Sequence, residues 1–277
     1  MRFLAAAIQM NSGGDKQANI DKALQLIAAA ARQGARLIAL PEYFSFLGSD
    51  DERQNVSEPI PGGPTVGRLA QAARQHGVVL HGGTILEGDP LVAPRVYNTS
   101  VVLDEQGRYL GSYRKIHLFD VNIPGQVESC ESYTLAPGAK AVVLDSSFAK
   151  LGLTICYDLR FPELFRTLAL RGAEVIFVPA AFSLFTGKDH WEPLLRSRAI
   201  ENQVYIIAPA QTGCDPVGRL YFGGSMIIDP WGTVVAQAPA GEGFALGMIE
   251  LEKIGNVQRQ VPCRAHRRLD AYDLGRE

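Results

Sequence analysis

Cys156 is the residue in this chain best placed to act as a nucleophile. It closes the apolar run Leu151-Gly152-Leu153-Thr154-Ile155, and Tyr157-Asp158-Leu159-Arg160-Phe161 leads on to Pro162, a residue suited to the first turn of a helix. A strand that ends in such a turn presents its corner residue at the end of a sheet and aims backbone N–H groups at the same point. A corner of this kind serves a nucleophile and an oxyanion hole together. A buried, inert cysteine fits the pattern equally well, because cysteine is among the residues most often enclosed. A thiol also needs a base or a nearby positive charge to become nucleophilic. Histidine is the usual partner, yet of the five histidines only His117, close to Lys115, stands near another polar candidate. Glu42 follows Pro41 at the end of Leu37-Ile38-Ala39-Leu40, a costly place for a carboxylate unless it is paired. Lys115 follows the run Tyr109–Tyr113. Together these residues supply a base, a nucleophile and a cation for a developing oxyanion. Taken singly, Glu42 reads more simply as a surface turn residue and Lys115 as a solvated charge.

The elements that would position these residues alternate between strand-length apolar runs and helical patterns. Phe3–Gln9 reads as a strand. Lys16–Gln33 reads as a helix with Ile20, Leu24, Ile27 and Ala31 on one face, stopped at Gly34. Thr65–His76 is a second helix and Val78–Leu86 a second buried strand. Tyr97–Leu103 and Tyr109–Tyr113 flank Asp104-Glu105-Gln106-Gly107, a hairpin signal. The second half repeats the order. Gly172-Ala173-Glu174-Val175-Ile176-Phe177-Val178-Pro179 echoes Gly34-Ala35-Arg36-Leu37-Ile38-Ala39-Leu40-Pro41. A helix over Trp191–Asn202, a strand over Val204–Ala210 and a hairpin, Ser225–Ile228 with Thr233–Gln237, then follow. Two such repeats suit two sheets packed face to face with helices outside, and the hairpins count against an ordinary doubly wound sheet. The polar, proline- and glycine-containing stretches Asp50–Pro64 and Phe119–Gly138 read as functional loops.

Composition removes several function classes. Of 277 residues 47% are apolar and 20% charged, and the net charge of −2 offers no global attraction for nucleic acid or an anionic membrane. The short basic run Arg264-Ala265-His266-Arg267-Arg268 reads as a solvated or self-docking tail. Met1–Met10 is interrupted early by polar residues and reads as a first strand rather than a leader, and no run reaches the ~20 apolar residues that span a bilayer. A cytoplasmic location is expected. The four cysteines form no C-x-x-C pair and the histidines no H-E-x-x-H, so no metal and no disulfide framework is expected.

Three segments, in order, resemble one known family. Leu37-Ile38-Ala39-Leu40-Pro41-Glu42-Tyr43-Phe44, Tyr113-Arg114-Lys115-Ile116-His117-Leu118-Phe119-Asp120 and Thr154-Ile155-Cys156-Tyr157-Asp158-Leu159-Arg160-Phe161-Pro162-Glu163 are similar to the base, lysine and nucleophile motifs of the nitrilase superfamily of carbon–nitrogen hydrolases. The similarity runs from Ala6 to about Tyr272. It implies an α/β fold, a four-layer αββα sandwich with an internal pseudo-twofold, forming a single domain over 1–277 with a C-terminal tail from about 262. It implies Glu42, Lys115 and Cys156 as the catalytic set, with no cofactor and no metal. The backbone N–H of Tyr157 would join Lys115 at the oxyanion. Glu131, in Cys130-Glu131-Ser132-Tyr133-Thr134-Leu135-Ala136-Pro137-Gly138, matches the family's second glutamate, which positions substrate; Glu128 is the competing choice. A homodimer or higher homo-oligomer is implied as well.

Within the superfamily, Tyr157-Asp158 after the cysteine, where true nitrilases carry Trp-Glu, favours an amide over a nitrile. The chain resembles the Nit branch. This implies hydrolysis of a small ω-amide acid, deaminated glutathione first and α-ketoglutaramate second, a preference that rests on Gln126 and Gln211. A catalytically silent interaction protein on the same scaffold is the rival class, and the intact Glu42–Lys115–Cys156 set speaks against it. The family usually shows histidine where this chain has Gly224. Phe182 reads as a pocket wall or as core, and Thr186 joins it as a substrate-binding residue by resemblance. Lys188, Arg196 and Arg198 are carboxylate-binding candidates by sequence position, although arginines on that helix more often make surface or interface ion pairs. Arg160 reads as a structural partner for a carboxylate.

Overall fold

Three successive alanines, Ala5-Ala6-Ala7, followed by Ile8 and Met10 let β1 (Arg2–Met10) sit between two layers, and the strand is buried on both faces from Ala5 to Met10. The computed structural model describes residues 1–268, 270 and 271; Leu269 and 272–277, the end of the expected C-terminal tail together with Tyr272, lie outside the described residues. Asp15 caps α1 (Lys16–Arg32), its side chain accepting from Ala18 N at 3.0 Å. The chain continues through β2 (Ala35–Ala39), the four-residue α2 (Arg53–Val56), α3 (Pro64–His76), β3 (Val79–Glu87), β4 (Tyr97–Leu103) and β5 (Tyr109–Arg114). Next come a two-stranded hairpin, β6 (Asp120–Ile123) with β7 (Val127–Cys130), then β8 (Val142–Asp145), β9 (Lys150–Leu153), α4 (Pro162–Leu170) and β10 (Val175–Phe177). The last third holds α5 (Leu184–Asn202), β11 (Tyr205–Ala208), β12 (Ala210–Cys214), β13 (Leu220–Phe222), β14 (Met226–Ile228), β15 (Val234–Gln237), β16 (Gly243–Glu250) and α6 (Leu251–Gln260).

Two sheets follow from these strands. One runs β13-β12-β1-β2-β3-β4-β5, with β16 antiparallel to β1 along Arg2–Gln9; the other runs β15-β14-β11-β10-β9-β8. The alternation of side chains along a strand sets the layers. Phe3, Ala5, Ala7, Leu37, Ala39 and Val79 of the first sheet pack into one core with Leu151, Leu153, Val175 and Phe177 of the second. The opposite face of the first sheet, with Ala6, Ile8, Met10 and Ile38, packs on Ile20, Ala23 and Ile27 of α1 and on Val66 and Leu69 of α3. Helices α4 and α5 join the second sheet through Leu164, Phe165, Leu168, Trp191 and Leu195. The order is helix, sheet, sheet, helix, the expected αββα sandwich. The internal echo is visible in the backbone: β2 and β10 are each entered through a left-handed glycine, Gly34 at φ 91° and Gly172 at φ 94°, and each is followed by a proline, Pro41 and Pro179.

Four expectations are corrected. Val204–Ala210 is not one strand: the chain leaves the second sheet after Ala208, passes Pro209 and enters the first sheet at Ala210, where β12 lies parallel to β1. The helix expected from Trp191 begins at Leu184, because Ser183 supplies the N-cap and its side chain accepts from Thr186 N. Phe119–Gly138 is not all loop, since it holds the β6–β7 hairpin, and Asp50–Pro64 holds a 3-10 turn over Asp50–Glu52 and α2. Finally, β16 and α6 were not anticipated. No helix of the described residues is long and apolar enough to cross a membrane.

Candidate active site

Parallel strands converge on one end of the sandwich. Glu42 lies just past β2, Cys156 just past β9 and Ala181 just past β10, and β5 delivers Lys115 to the same place. In open α/β architectures this is the end at which ligands bind. Two residues there adopt the left-handed backbone that non-glycine residues rarely occupy, Tyr43 at φ 55° and Cys156 at φ 47°. Each is held by a hydrogen bond: Tyr43 N donates to Thr84 Oγ1 at 2.8 Å and Cys156 N to Pro179 O at 2.9 Å. The approach of β3 to the Glu42 turn depends on Gly83, at φ 56°, where a Cβ would stand 2.3 Å from Pro41 O.

Glu42, Lys115, Glu131 and Cys156 are brought together and all are buried. Lys115 Nζ donates to Glu42 Oε1 at 2.9 Å and lies 3.0 and 2.8 Å from the two oxygens of Glu131. Asn98 Nδ2 also donates to Glu42 Oε1, and Ala181 N to Glu42 Oε2, both at 2.8 Å. Tyr43 OH and Phe119 N each donate to Glu131 at 2.8 Å. One ammonium thus faces two carboxylates. Burial opposes its charge, but Glu131 and Glu42 outweigh burial and hold Lys115 well above the ordinary lysine range. For Glu131 burial favours the neutral acid, and Lys115 reverses this and holds the carboxyl below its usual value. Burial and the Glu42 charge push the Cys156 thiol well up, with Lys115 only partly opposing them. The resting thiol therefore keeps its proton, and ionisation needs an acceptor in contact with it. Glu42 can be that acceptor: Oε1 already takes two donors, while Oε2 takes one and retains a free lone pair.

These four residues line a cavity of about 490 Å³. Tyr157, Phe182 and Thr186 line it too, as do Phe119, Gln126 and Glu128 from the β6–β7 region. Phe182 is wall and core at once, buried in the inter-sheet cluster with its ring 5.1 Å from that of Trp191. Thr186 is buried and its hydroxyl lies 2.8 Å from Ser183 Oγ. Gln211 does not line the cavity but supports it, donating to Glu42 O at 2.9 Å and to Ser12 Oγ at 3.0 Å. Glu131, rather than Glu128, contacts Lys115.

The basic candidates divide three ways. Lys188 lines the cavity and pairs with Asp189. Arg196 bonds Gly232 O and Glu192 on the surface. Arg198 is buried rather than exposed, and its guanidinium donates twice to Leu159 O, at 3.0 and 2.8 Å, behind the nucleophile corner. Arg160 has no carboxylate partner among the described residues, contrary to expectation; it lies 5.3 Å above the Phe182 ring and 3.3 Å from His190 Nδ1. Gly224, at φ 67°, is not part of the cavity wall; its carbonyl accepts from Trp191 Nε1 at 2.9 Å. Sequence reasoning missed Asn98, the Ala181 N–H and Arg53. Asn98 sits in an ordinary strand pattern and Ala181 acts through its backbone, so neither carries a side-chain signal. Arg53 lines the cavity from the 50–64 segment and donates to Thr134 Oγ1 at 2.7 Å. Among the described residues no group of three or more His, Cys, Asp or Glu is arranged to hold a metal ion.

Known proteins resemble this chain over almost its whole length. The family model described as carbon-nitrogen hydrolase matches residues 4–259. A deaminated glutathione amidase of Synechocystis sp. (strain PCC 6803 / GT-S) is 44% identical over 269 residues, 96% of this chain and 98% of the relative. Omega-amidase NIT2 of Homo sapiens is 38% identical over 98% of this chain and 96% of its own length. Among solved structures, the NitFhit protein of C. elegans superposes with a TM-score of 0.92 at 37% identity, covering 99% of this chain and 66% of that longer one.

Proposed function

The chain belongs to the carbon–nitrogen hydrolase family, and from that premise we propose that it hydrolyses the amide of a small ω-amide acid through a thioester on Cys156, with deaminated glutathione preferred over α-ketoglutaramate. The observation that carries the reading is the buried Glu42–Lys115–Glu131 chain set against the left-handed Cys156 corner at the head of a cavity. Glu42 Oε2 takes the thiol proton as sulfur attacks the amide carbon. The carbonyl electron pair moves to oxygen, where Lys115 and the Tyr157 N–H stabilise it. Collapse of the tetrahedral adduct breaks the C–N bond, and Glu42 returns the proton to the departing amine. Glu42 then takes a proton from water, the hydroxide adds to the thioester, and sulfur leaves and recovers its proton. Glu131 keeps Lys115 charged and in place. Ammonia leaves from a simple carboxamide; from deaminated glutathione the leaving group is a dipeptide amine.

Several features support an acidic substrate of this size. The cavity of about 490 Å³ falls within the ~300–1,000 Å³ usual for small-molecule sites. Lys188 lines the cavity, paired with its exposed neighbour Asp189, and is a cation available to a substrate carboxylate. Phe119 and Gln126 extend the wall beyond the reacting group, where a dipeptide needs room. We read residues 1–277 as one domain with a tail from about 262, cytoplasmic, acting on a small molecule rather than nucleic acid or a membrane. The neighbouring exposed Ile200 and Trp231 support a homodimer or higher assembly. Measuring kcat/KM for deaminated glutathione and α-ketoglutaramate at one pH tests the substrate. A clear preference for deaminated glutathione is expected. Equal values, or a preference for α-ketoglutaramate, would move the protein to the ω-amidase side, and no turnover of either would leave only the reaction class.

A further inference from the structure

Asp158 is fully buried two residues beyond the proposed nucleophile, and it accepts from both sides of the site. Its Oδ2 takes Ile155 N at 2.8 Å, on the residue before Cys156, and Tyr113 OH at 2.7 Å. Its Oδ1 takes His117 N at 3.1 Å and lies 2.7 Å from His117 Nδ1. Tyr113 and His117 flank Lys115 at two residues on either side, and Ile116 N donates back to Tyr113 OH at 3.3 Å. One carboxylate therefore grips the lysine-bearing segment at two points and the cysteine corner at a third. His117 is stacked flat on Phe161, at 3.6 Å and 7°, which fixes the far end of the corner to the same segment. Burial and the Asp158 charge push the Tyr113 phenol up, so it stays a donor. A residue that only capped the 3-10 turn at Cys156 would need Ile155 N alone; the three bonds to Tyr113 and His117 have no part in capping.

We infer that Asp158 is a positioning residue that sets the register between Lys115 and the Cys156 thiol. It touches neither substrate nor reacting atoms. This inference rests on the amidase reading above for its kinetic readout. Its physical basis is that preorganised charge stabilises an oxyanion only when it stands where charge develops, and displacements of ~1 Å can cost ~100-fold in rate. Asparagine at 158 would keep the shape but offer one acceptor oxygen and an NH₂ that faces donors, so the partners of one oxygen would be lost.

The test compares Asp158→Asn, Tyr113→Phe and their double variant with Asp104→Asn. Asp104 is likewise buried and accepts from Gln106 N, Arg108 N and Arg108 Nε in the β4–β5 turn, away from the cavity. Expected are a fall in kcat of about 10-fold for Tyr113→Phe and about 100-fold for Asp158→Asn, with KM held within about threefold. The double variant should be no worse than Asp158→Asn, because both act through one carboxylate. Asp104→Asn should lower the melting temperature with kcat unchanged. Unchanged kcat in folded Tyr113→Phe, KM rising while kcat is kept, or a kcat loss in Asp104→Asn matching that of Asp158→Asn at equal loss of stability would overturn the inference. If Asp158→Asn does not fold, Tyr113→Phe carries the test. If the wild type turned over no ω-amide, the proposed function would fail on its own. The rate of alkylation of Cys156 by iodoacetamide would then decide, slower in Tyr113→Phe if the inference holds and unchanged if it does not.

Discussion

Mild acid should destabilise this protein through His81, a residue remote in role from the proposed chemistry. His81 lies on β3 facing the second sheet, fully buried, its ring stacked on Phe177 at 4.5 Å. Its Nδ1 accepts from Gly83 N at 3.3 Å, and its Nε2 has no partner among the described residues. Burial drives the imidazole from 6.5 down to about 3. Between those values the unfolded chain binds a proton that the folded chain refuses. Stability is therefore untouched above pH 6.5 and falls as pH drops from 6.5 toward 3. At 1.36 kcal/mol per unit the whole gap amounts to about 5 kcal/mol, of which about 2 kcal/mol is gone by about pH 5. The Glu131 carboxyl, held below its ordinary 4.5 by Lys115 against the opposing effect of burial, gives up its contribution only below that pH. Urea unfolding between about pH 7.5 and pH 5 thus isolates the histidine. His81→Asn keeps an acceptor for Gly83 N and removes the titrating ring. It should be less stable at neutral pH, for want of the Phe177 stack, but its stability should vary less with pH by about 2 kcal/mol. Parallel pH profiles for wild type and variant would refute the reasoning.

Lys115→Met should lower kcat by about 100- to 1,000-fold with little change in KM, because the lost charge matters most when the oxyanion develops. It should also lower the melting temperature, since Glu42 and Glu131 are left facing each other without a cation; a change in KM alone would assign Lys115 to ground-state binding. Glu42→Gln should slow both thioester formation and thioester hydrolysis in single-turnover kinetics, one carboxylate serving both, and slowing of a single step would divide the roles. Cys214→Ala should keep full turnover, as Cys214 is exposed on β12 and its thiol donates to the carbonyl of its neighbour Asp215; a loss comparable to that of Cys156→Ala in a folded variant would contradict this.

The sandwich was legible where sequence pattern and backbone demand coincide. Gly34 and Gly172 mark helix-to-strand turns because both need a left-handed backbone, and Pro41 and Pro179 mark where those strands stop. Glu42 and Cys156 stood out because polar residues at the ends of buried runs are costly without partners. Sheet membership was not legible. Ala208 and Ala210 belong to different sheets, and only the pairing partners decide this: Met226 for Ala208 and Gln9 for Ala210. The eight residues of β16 were overlooked because their glycines, Gly243 and Gly247, interrupt the apolar run; their place beside β1 comes from a pairing more than 230 residues away in sequence. The partners of Glu42 were the least legible part of the site. Asn98 reads as any strand residue, and the Ala181 N–H is a backbone donor that no side-chain pattern reveals. Arg160 misled for a related reason, since its surroundings are aromatic rings rather than the carboxylate its charge suggested.

The covalent intermediate is the centre of the account, and intact-mass spectrometry of enzyme quenched during turnover of deaminated glutathione reads it directly. An increase equal to the α-ketoglutaryl group is predicted, localised to the peptide bearing Cys156 and absent from Cys156→Ala. Turnover that proceeds with no adduct at any quench time, or undiminished in Cys156→Ala, would contradict it.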